Sequence, residues 1–312
     1  MHIFGSLGRR ILQMVATVIL VTLLMFGLMH LLPGDPALML LGDRATDQMI
    51  TQMHHEMGLD RSLGVQFWEY LSHTARLQMG DSITMRVPVI SLIRDRLPVT
   101  LMLTAMAAVI AVVIAVPLAF VAALRRGGWV DGAIRMLSQI SLSMPVFYIG
   151  LVLLIGLAAG LHWFPVGGIG KNFWQDLYYL FLPALTLALS LSAVLLRNLR
   201  EALIETLQAE YVGFAVAKGL RWRLVLSRHV LRNAWISTIT LLGLNIGSLV
   251  GGAVVTETVF AIPGLGRLMI DSIFARDYAV VQGLTIVLAV MVSLVFLIVD
   301  AMQTWLDPRA GA

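Results

Sequence analysis

Six long apolar runs alternate with shorter polar segments along this chain. Ile11–Leu32, Val99–Leu124, Met136–Leu161, Leu177–Leu196, Asn233–Thr256 and Tyr278–Val299 contain no Asp, Glu, Lys or Arg. About 20 apolar residues at 1.5 Å rise span a bilayer core. In hydrocarbon every backbone N–H and C=O must be satisfied within its own segment, so the runs predict helices. The ten-residue alternation of a barrel is absent. The pattern therefore predicts an all-α integral membrane protein with six transmembrane helices.

Composition agrees with that reading. Apolar residues make up 59% of the 312 and charged residues only 13%, with a mean hydropathy of +0.87. Globular chains carry about 25% charged residues. The first run is too long for a signal-peptide core and lacks an Ala-x-Ala site, so it reads as a retained first helix. Cysteine is absent, which excludes disulfide and thiolate chemistry.

Charge sets the orientation. Placing both termini in the cytoplasm puts thirteen of the 22 Lys and Arg residues inside, on short loops, as the positive-inside bias requires. Seven of these lie in the cytoplasmic loop 197–232. Residues 33–98 then form a periplasmic segment carrying eight acidic and six basic residues. It has helical pieces around Ala45–Met57 and Val65–Leu77, after a Pro33-Gly34-Asp35-Pro36 turn. It reads as a small domain that receives a partner or covers a pathway mouth, with a solvated connector as the alternative. Domain organisation is thus a tail and first helix (1–32), the periplasmic segment (33–98), and a five-helix core (99–312).

Within the core, Gly243, Gly247 and Gly251 recur every four residues and offer a smooth face for close helix packing. Pro117 and Pro145 are expected to kink spans two and three. Enzymatic motifs are missing: no phosphate loop, no His-Glu-x-x-His and no nucleophile elbow. No carboxylate lies in a span centre, where a proton relay would need one. His54, His55 and Glu56 fan apart on a helix surface and read as solvated. A transporter built this way must draw energy from another polypeptide.

The loop 197–232 offers a point of entry. Residues 209–218 form a good helix stretch ended by Gly219, a C-terminal stop. Tyr211, Phe214 and Ala215 share a face by i, i+3 and i+4 spacing. Such a helix either plugs an aromatic knob into a cytoplasmic partner or rests on lipid headgroups through Lys218, Arg221 and Arg223.

The chain resembles the first permease of bacterial ABC importers for dipeptides, oligopeptides, glutathione and nickel. The resemblance is carried in order by Leu32-Pro33-Gly34-Asp35-Pro36, Gly58-Leu59-Asp60, Gln66-Phe67-Trp68 and Arg96-Leu97-Pro98-Val99-Thr100-Leu101. Ala217-Lys218-Gly219-Leu220, His229-Val230-Leu231-Arg232-Asn233-Ala234 and Thr256-Glu257-Thr258-Val259-Phe260 follow. Pro263-Gly264-Leu265-Gly266-Arg267, Arg276-Asp277-Tyr278 and Asp307-Pro308-Arg309 complete the series. The loop also resembles the coupling segment of such permeases, a Glu-Ala-Ala stretch followed four residues later by glycine that docks in a groove of the ATPase subunit. Departures fall here, where Gly213, Phe214 and Ala215 occupy the Glu-Ala-Ala positions and Val216 replaces an arginine. Ser237 also stands where relatives commonly have proline, and the Gly80-Asp81 turn lacks its usual Leu-Gly.

The resemblance implies a non-catalytic, multi-pass permease of the bacterial inner membrane. Its expected partners are a homologous second permease, two ATPase subunits, a periplasmic solute-binding protein and membrane lipid, with no nucleic acid. ATP and Mg would sit on the ATPases, with no cofactor or metal on this chain. It further implies ATPase coupling by Ala209, Glu210, Tyr211, Phe214, Ala215, Lys218 and Gly219. Partner-permease packing would fall on Gly243, Gly247 and Gly251, and an outer gate on Glu257, Pro263, Gly264 and Gly266. Short peptides are the expected cargo. A nickel-chelate importer, a self-contained channel or carrier, and an exporter permease remain as alternatives.

Overall fold

The computed structural model describes residues 2–31, 46–56 and 58–306. The Pro33–Pro36 turn and the Asp307–Arg309 motif lie outside these residues, as do the side chains of Arg228, Arg232 and Ser237. The described residues are helical, apart from turns and one isolated bridge between Asp81 and Pro88. In order they form α1 (His2–Leu31), α2 (Asp47–Glu56), α3 (Leu63–Ala75), α4 (Val89–Leu124), α5 (Trp129–Ser143) and α6 (Val146–Leu153). Then come α7 (Phe173–Leu207), α8 (Glu210–Ala217), α9 (Trp222–Leu224), α10 (Arg232–Val259), α11 (Leu265–Phe274) and α12 (Tyr278–Leu306). Wider π-helical turns continue α6 over Leu154–Gly160 and join α9 to α10 over Val225–Leu231.

Among these, five helices are long and apolar enough to cross a membrane, or six if the bent pair α5–α6 is one span. In that pair the kink expected at Pro145 in the third span is a sharp break. The halves meet at 107°, and the cause is local. Proline disfavours the helical region for the residue before it, and Met144, preceding Pro145, is extended at φ −90°, ψ 132°. By contrast α4 stays helical through Pro98 and Pro117.

The chain divides into two compact units. The larger comprises 1–9, 96–268 and 294–312, and its core is built around α7. That helix is closed at its start by Asn172, whose side chain accepts from the Gln175 amide at 3.0 Å. Along α4, Leu103, Ala107, Ala111, Ala115 and Ala119 are fully buried in the same core. A row repeating every fourth residue runs obliquely round the helix, and small side chains there admit close approach. Gly243 works in the same way. A Cβ on it would strike Val299.

The smaller unit comprises 10–95 and 269–293. Here α3 lies against α1, with the Phe26 ring 5.5 Å from Phe67 and 6.0 Å from Tyr70. His30 meets the Gln66 side chain at 3.2 Å. Desolvation of the half-buried Tyr70 phenol pushes its pKa up to about 12. The turn 80–88 is anchored to Asp277, at the head of α12. The buried Asp277 carboxylate accepts from the Ser82 and Thr84 hydroxyls at 2.5 and 2.8 Å and from the Thr84 amide at 3.2 Å.

Candidate functional site

The expected coupling segment is a two-turn helix whose ends are fixed by backbone chemistry. Ala209 precedes it in an extended conformation, and Glu210 sits in its first turn, where a negative charge favours the helix dipole. At its other end Gly219 adopts φ +76°. The Gly219 amide then donates to the Val216 carbonyl at 2.9 Å and the Leu220 amide to Ala215 at 3.3 Å. This pair of bonds is a Schellman cap, and the left-handed residue in it is normally glycine. Lys218 occupies the last capping position.

Packing divides the helix into two faces. Val212 and Ala215 are 3% and 7% exposed and belong to the core of the larger unit. Tyr211 and Phe214 are 44% and 67% exposed, with Val216 beside them. The sequence reading grouped Ala215 with the two aromatics. Burial instead turns Ala215 toward the chain itself and leaves the aromatics outward.

α7 leads directly into this helix. At 35 residues it is roughly 50 Å long at 1.5 Å per residue. Near its C-terminal end Arg200 donates twice to Asp131 on α5, from Nε and Nη2, each at 2.7 Å. The Asp131 carboxylate is 1% exposed and also accepts from the Gly127 amide at 3.1 Å. Arg135 approaches it at 3.7 Å. A bidentate guanidinium–carboxylate pair fixes orientation as well as distance. Sequence reading missed it, because a separation of 69 residues leaves no periodic signal.

The second cluster surrounds Glu257 at the end of α10. This fully buried carboxylate accepts from the Thr100 hydroxyl at 2.6 Å and from the Arg267 amide at 3.0 Å. Thr100 in turn accepts from the Leu265 amide at 2.9 Å. Leu265 and Arg267 lie in the first turn of α11, so Glu257 and Thr100 together cap a helix whose leading amides would otherwise be orphaned. Gly264 and Gly266 are required by crowding, since a Cβ on Gly264 would collide with the Glu257 carboxylate and one on Gly266 with Val254. Pro263 is half-buried in the connecting turn. The four residues expected at an outer gate therefore stand together, joined by Thr100, which the sequence reading noted only within a motif.

The glycine face of α10 is not uniform. Gly243 packs within the chain, as above, whereas a Cβ on Gly251 would meet nothing within 4 Å. Gly247 is half-buried.

Residues 115–311 match the family described as binding-protein-dependent transport system inner membrane component. Residues 3–104 match the N-terminal part of such a membrane component. The chain is 36% identical over 304 residues to a probable peptide ABC transporter permease of Sinorhizobium fredii, covering 96% of this chain and 97% of that one. It is 36% identical over 300 residues to a glutathione transport system permease of Salmonella choleraesuis, with 96% of each covered. A probable D,D-dipeptide permease of Escherichia coli matches at 36% over 336 residues, covering 100% and 98%. In structure, 69% of the chain overlays 96% of a chain of the inward-facing MetNI methionine ABC transporter, with a TM-score of 0.59 and 16% identity. That likeness is one of fold.

Proposed function

The chain belongs to the family of binding-protein-dependent transport system inner membrane components, and from that premise we propose how it is energised and what it carries. It is a multi-pass inner-membrane permease of an ABC importer of the peptide type. The cargo that best suits relatives named for peptides, glutathione and D,D-dipeptides is a short peptide. Both termini face the cytoplasm. One homologous permease completes the pathway, two ATPase subunits bind and hydrolyse ATP with Mg, and a periplasmic protein delivers the solute.

The observation that carries the coupling role is the division of α8. Its inner face is rooted in the core through Val212 and Ala215, and its outer face presents Tyr211 and Phe214. A helix so rooted passes an imposed displacement to the body of the chain. An exposed aromatic pair supplies the apolar anchor that interface cores favour. The docked state must contact the ATPases differently when they are open and closed, because only differential affinity shifts a conformational equilibrium. Glu257, Thr100, Pro263, Gly264 and Gly266 form the outer turn that opens or closes with this motion. The Gly251 end of α10 meets the second permease.

The test is Phe214→Glu in the reconstituted importer. Because Phe214 is outward-facing, the variant is expected to insert and fold normally. Uptake and substrate-stimulated ATP hydrolysis should both fall at least tenfold, the effect of losing about 1.4 kcal/mol of docking energy. Unchanged coupled uptake would remove α8 as the ATPase contact. Uptake by this chain reconstituted alone, without ATP, would favour a self-contained carrier.

A further inference from the structure

Beside the Arg200–Asp131 pair, α5 and α7 leave an amphipathic cleft of about 410 Å³. Its walls carry charge at one end only. Arg135 lies on α5 and Arg197 on α7, and the apolar lining includes Leu196 beside Arg197 and Leu142 about two turns along α5 from Arg135. The two helices therefore agree on depth. Each arginine is the last charged residue before an uncharged run, Met136–Leu161 on one side and Leu177–Leu196 on the other. The cleft thus straddles the level at which headgroups give way to acyl chains. Ser138 and Gln139 add hydroxyl and amide groups between the two ends.

Its charge is available. Arg200 also lines the cleft, but its guanidinium is spent on Asp131 at 2.7 Å. Arg135 and Arg197 are both exposed, and Arg135 reaches Asp131 only at 3.7 Å. Arg197 makes no ion pair among the described residues. Glu201 stands on the rim, which leaves one net positive charge once the Asp131–Arg200 pair is set aside. We propose that this cleft holds one anionic phospholipid, its phosphate between Arg135 and Arg197 and an acyl chain along Leu142 and Leu196. Basic pockets between membrane helices on the cytoplasmic side take anionic headgroups in this manner. A lipid seated there lies against the Arg200–Asp131 tie, about three helical turns before the start of α8.

The experiment uses the assembled importer in detergent, with native mass spectrometry reading the affinity of the most tightly retained lipid. Phosphatidylglycerol and phosphatidylcholine with the same acyl chains are the probes. Wild type should retain phosphatidylglycerol preferentially, and excess inorganic phosphate should not displace it. Arg135→Ala combined with Arg197→Ala should weaken phosphatidylglycerol roughly thirtyfold, two contributions of about 1 kcal/mol each, while the double lysine variant keeps most of the preference. Leu142→Trp fills the apolar end without altering charge and should also weaken retention. Equal retention of both lipids, or unchanged phosphatidylglycerol affinity in either the double alanine variant or Leu142→Trp, overturns the proposal. Displacement by inorganic phosphate overturns it in favour of a bare-anion site.

Discussion

Arg200 grips Asp131 through two parallel hydrogen bonds of 2.7 Å across 69 residues of sequence, tying α7 to α5 just before the chain turns into α8. An almost fully buried carboxylate of this kind depends on its partner. Removing one member leaves an uncompensated charge at a cost of about 3–5 kcal/mol. Asp131→Ala or Arg200→Ala should therefore lower the thermal unfolding midpoint of the importer in detergent. Arg200→Lys should recover little, since a lysine cannot make the two-pronged contact. If the lysine variant unfolds like wild type, the bidentate geometry is not what holds these helices.

The Glu257 cluster separates shape from charge. A glutamine can still accept from the Arg267 amide and hydrogen-bond to Thr100, so Glu257→Gln should cost about 1 kcal/mol or less. Glu257→Ala orphans both the Thr100 hydroxyl and a helix-end amide and should cost roughly 2–4 kcal/mol. Gly264→Ala forces a methyl into the carboxylate and should cost about 1–3 kcal/mol. Protease susceptibility of the turn 260–264 in membranes reads the order directly. Equal cleavage of the Gln and Ala variants would contradict the capping role.

Asp277 gives the smaller unit a defined acid response. Burial disfavours its charged form, but the hydrogen bonds from Ser82, Thr84 and the Thr84 and Ile83 amides outweigh that and hold the carboxyl below its usual 3.8. A folded pKa below the unfolded one means that the native state binds its proton less readily. The stabilisation is complete above the unfolded value near 3.8 and declines as pH falls through the folded one. Hydrogen exchange at the Ser82, Thr84 and Val280 amides should be flat from neutral pH down to about pH 5, after correction for intrinsic rates, and accelerate below about 4. In Asp277→Asn the protection should be lower throughout and lose that step.

Two glycines in the proposed coupling segment have opposite roles. Gly219 is left-handed at φ +76° with open space around it, so Gly219→Ala costs only backbone strain, about 1–2 kcal/mol. Gly213 lies inside α8 and a Cβ there meets nothing within 4 Å. Gly213→Ala should stabilise the helix by about 0.5–1 kcal/mol and leave the folding of the chain intact. A loss of coupled uptake in Gly213→Ala would then report a partner surface pressed against that position. Measuring melting and ATP-coupled uptake on the same preparation distinguishes the two effects.

The helices themselves were legible from local pattern. An uncharged run of bilayer length leaves the backbone no option but to satisfy itself, so the runs became helices even where their ends moved. α7 extends the run Leu177–Leu196 to Phe173–Leu207, and α4 begins at Val89 instead of Val99. The ends shifted because helices continue past the apolar boundary for as long as propensity and packing allow. The Gly219 stop was equally readable, since a left-handed cap needs only one residue type.

Which face of α8 turns inward was not readable. Val212, Phe214, Ala215 and Val216 are all apolar, so a 3.6-residue period has no polar contrast to orient it. Only the core around Val212 and Ala215 decided it. The pairs that fix the tertiary arrangement were hidden for another reason. Thr100 and Glu257 are 157 residues apart and Ser82 and Asp277 are 195 apart, and no local spacing records which distant polar group will satisfy a buried carboxylate. The sequence by itself determined that this chain is a bundle of membrane helices with a short capped helix in its basic loop. Tertiary structure alone decided how that helix is rooted, because burial and hydrogen-bond satisfaction are properties of the assembled helices and not of any one segment.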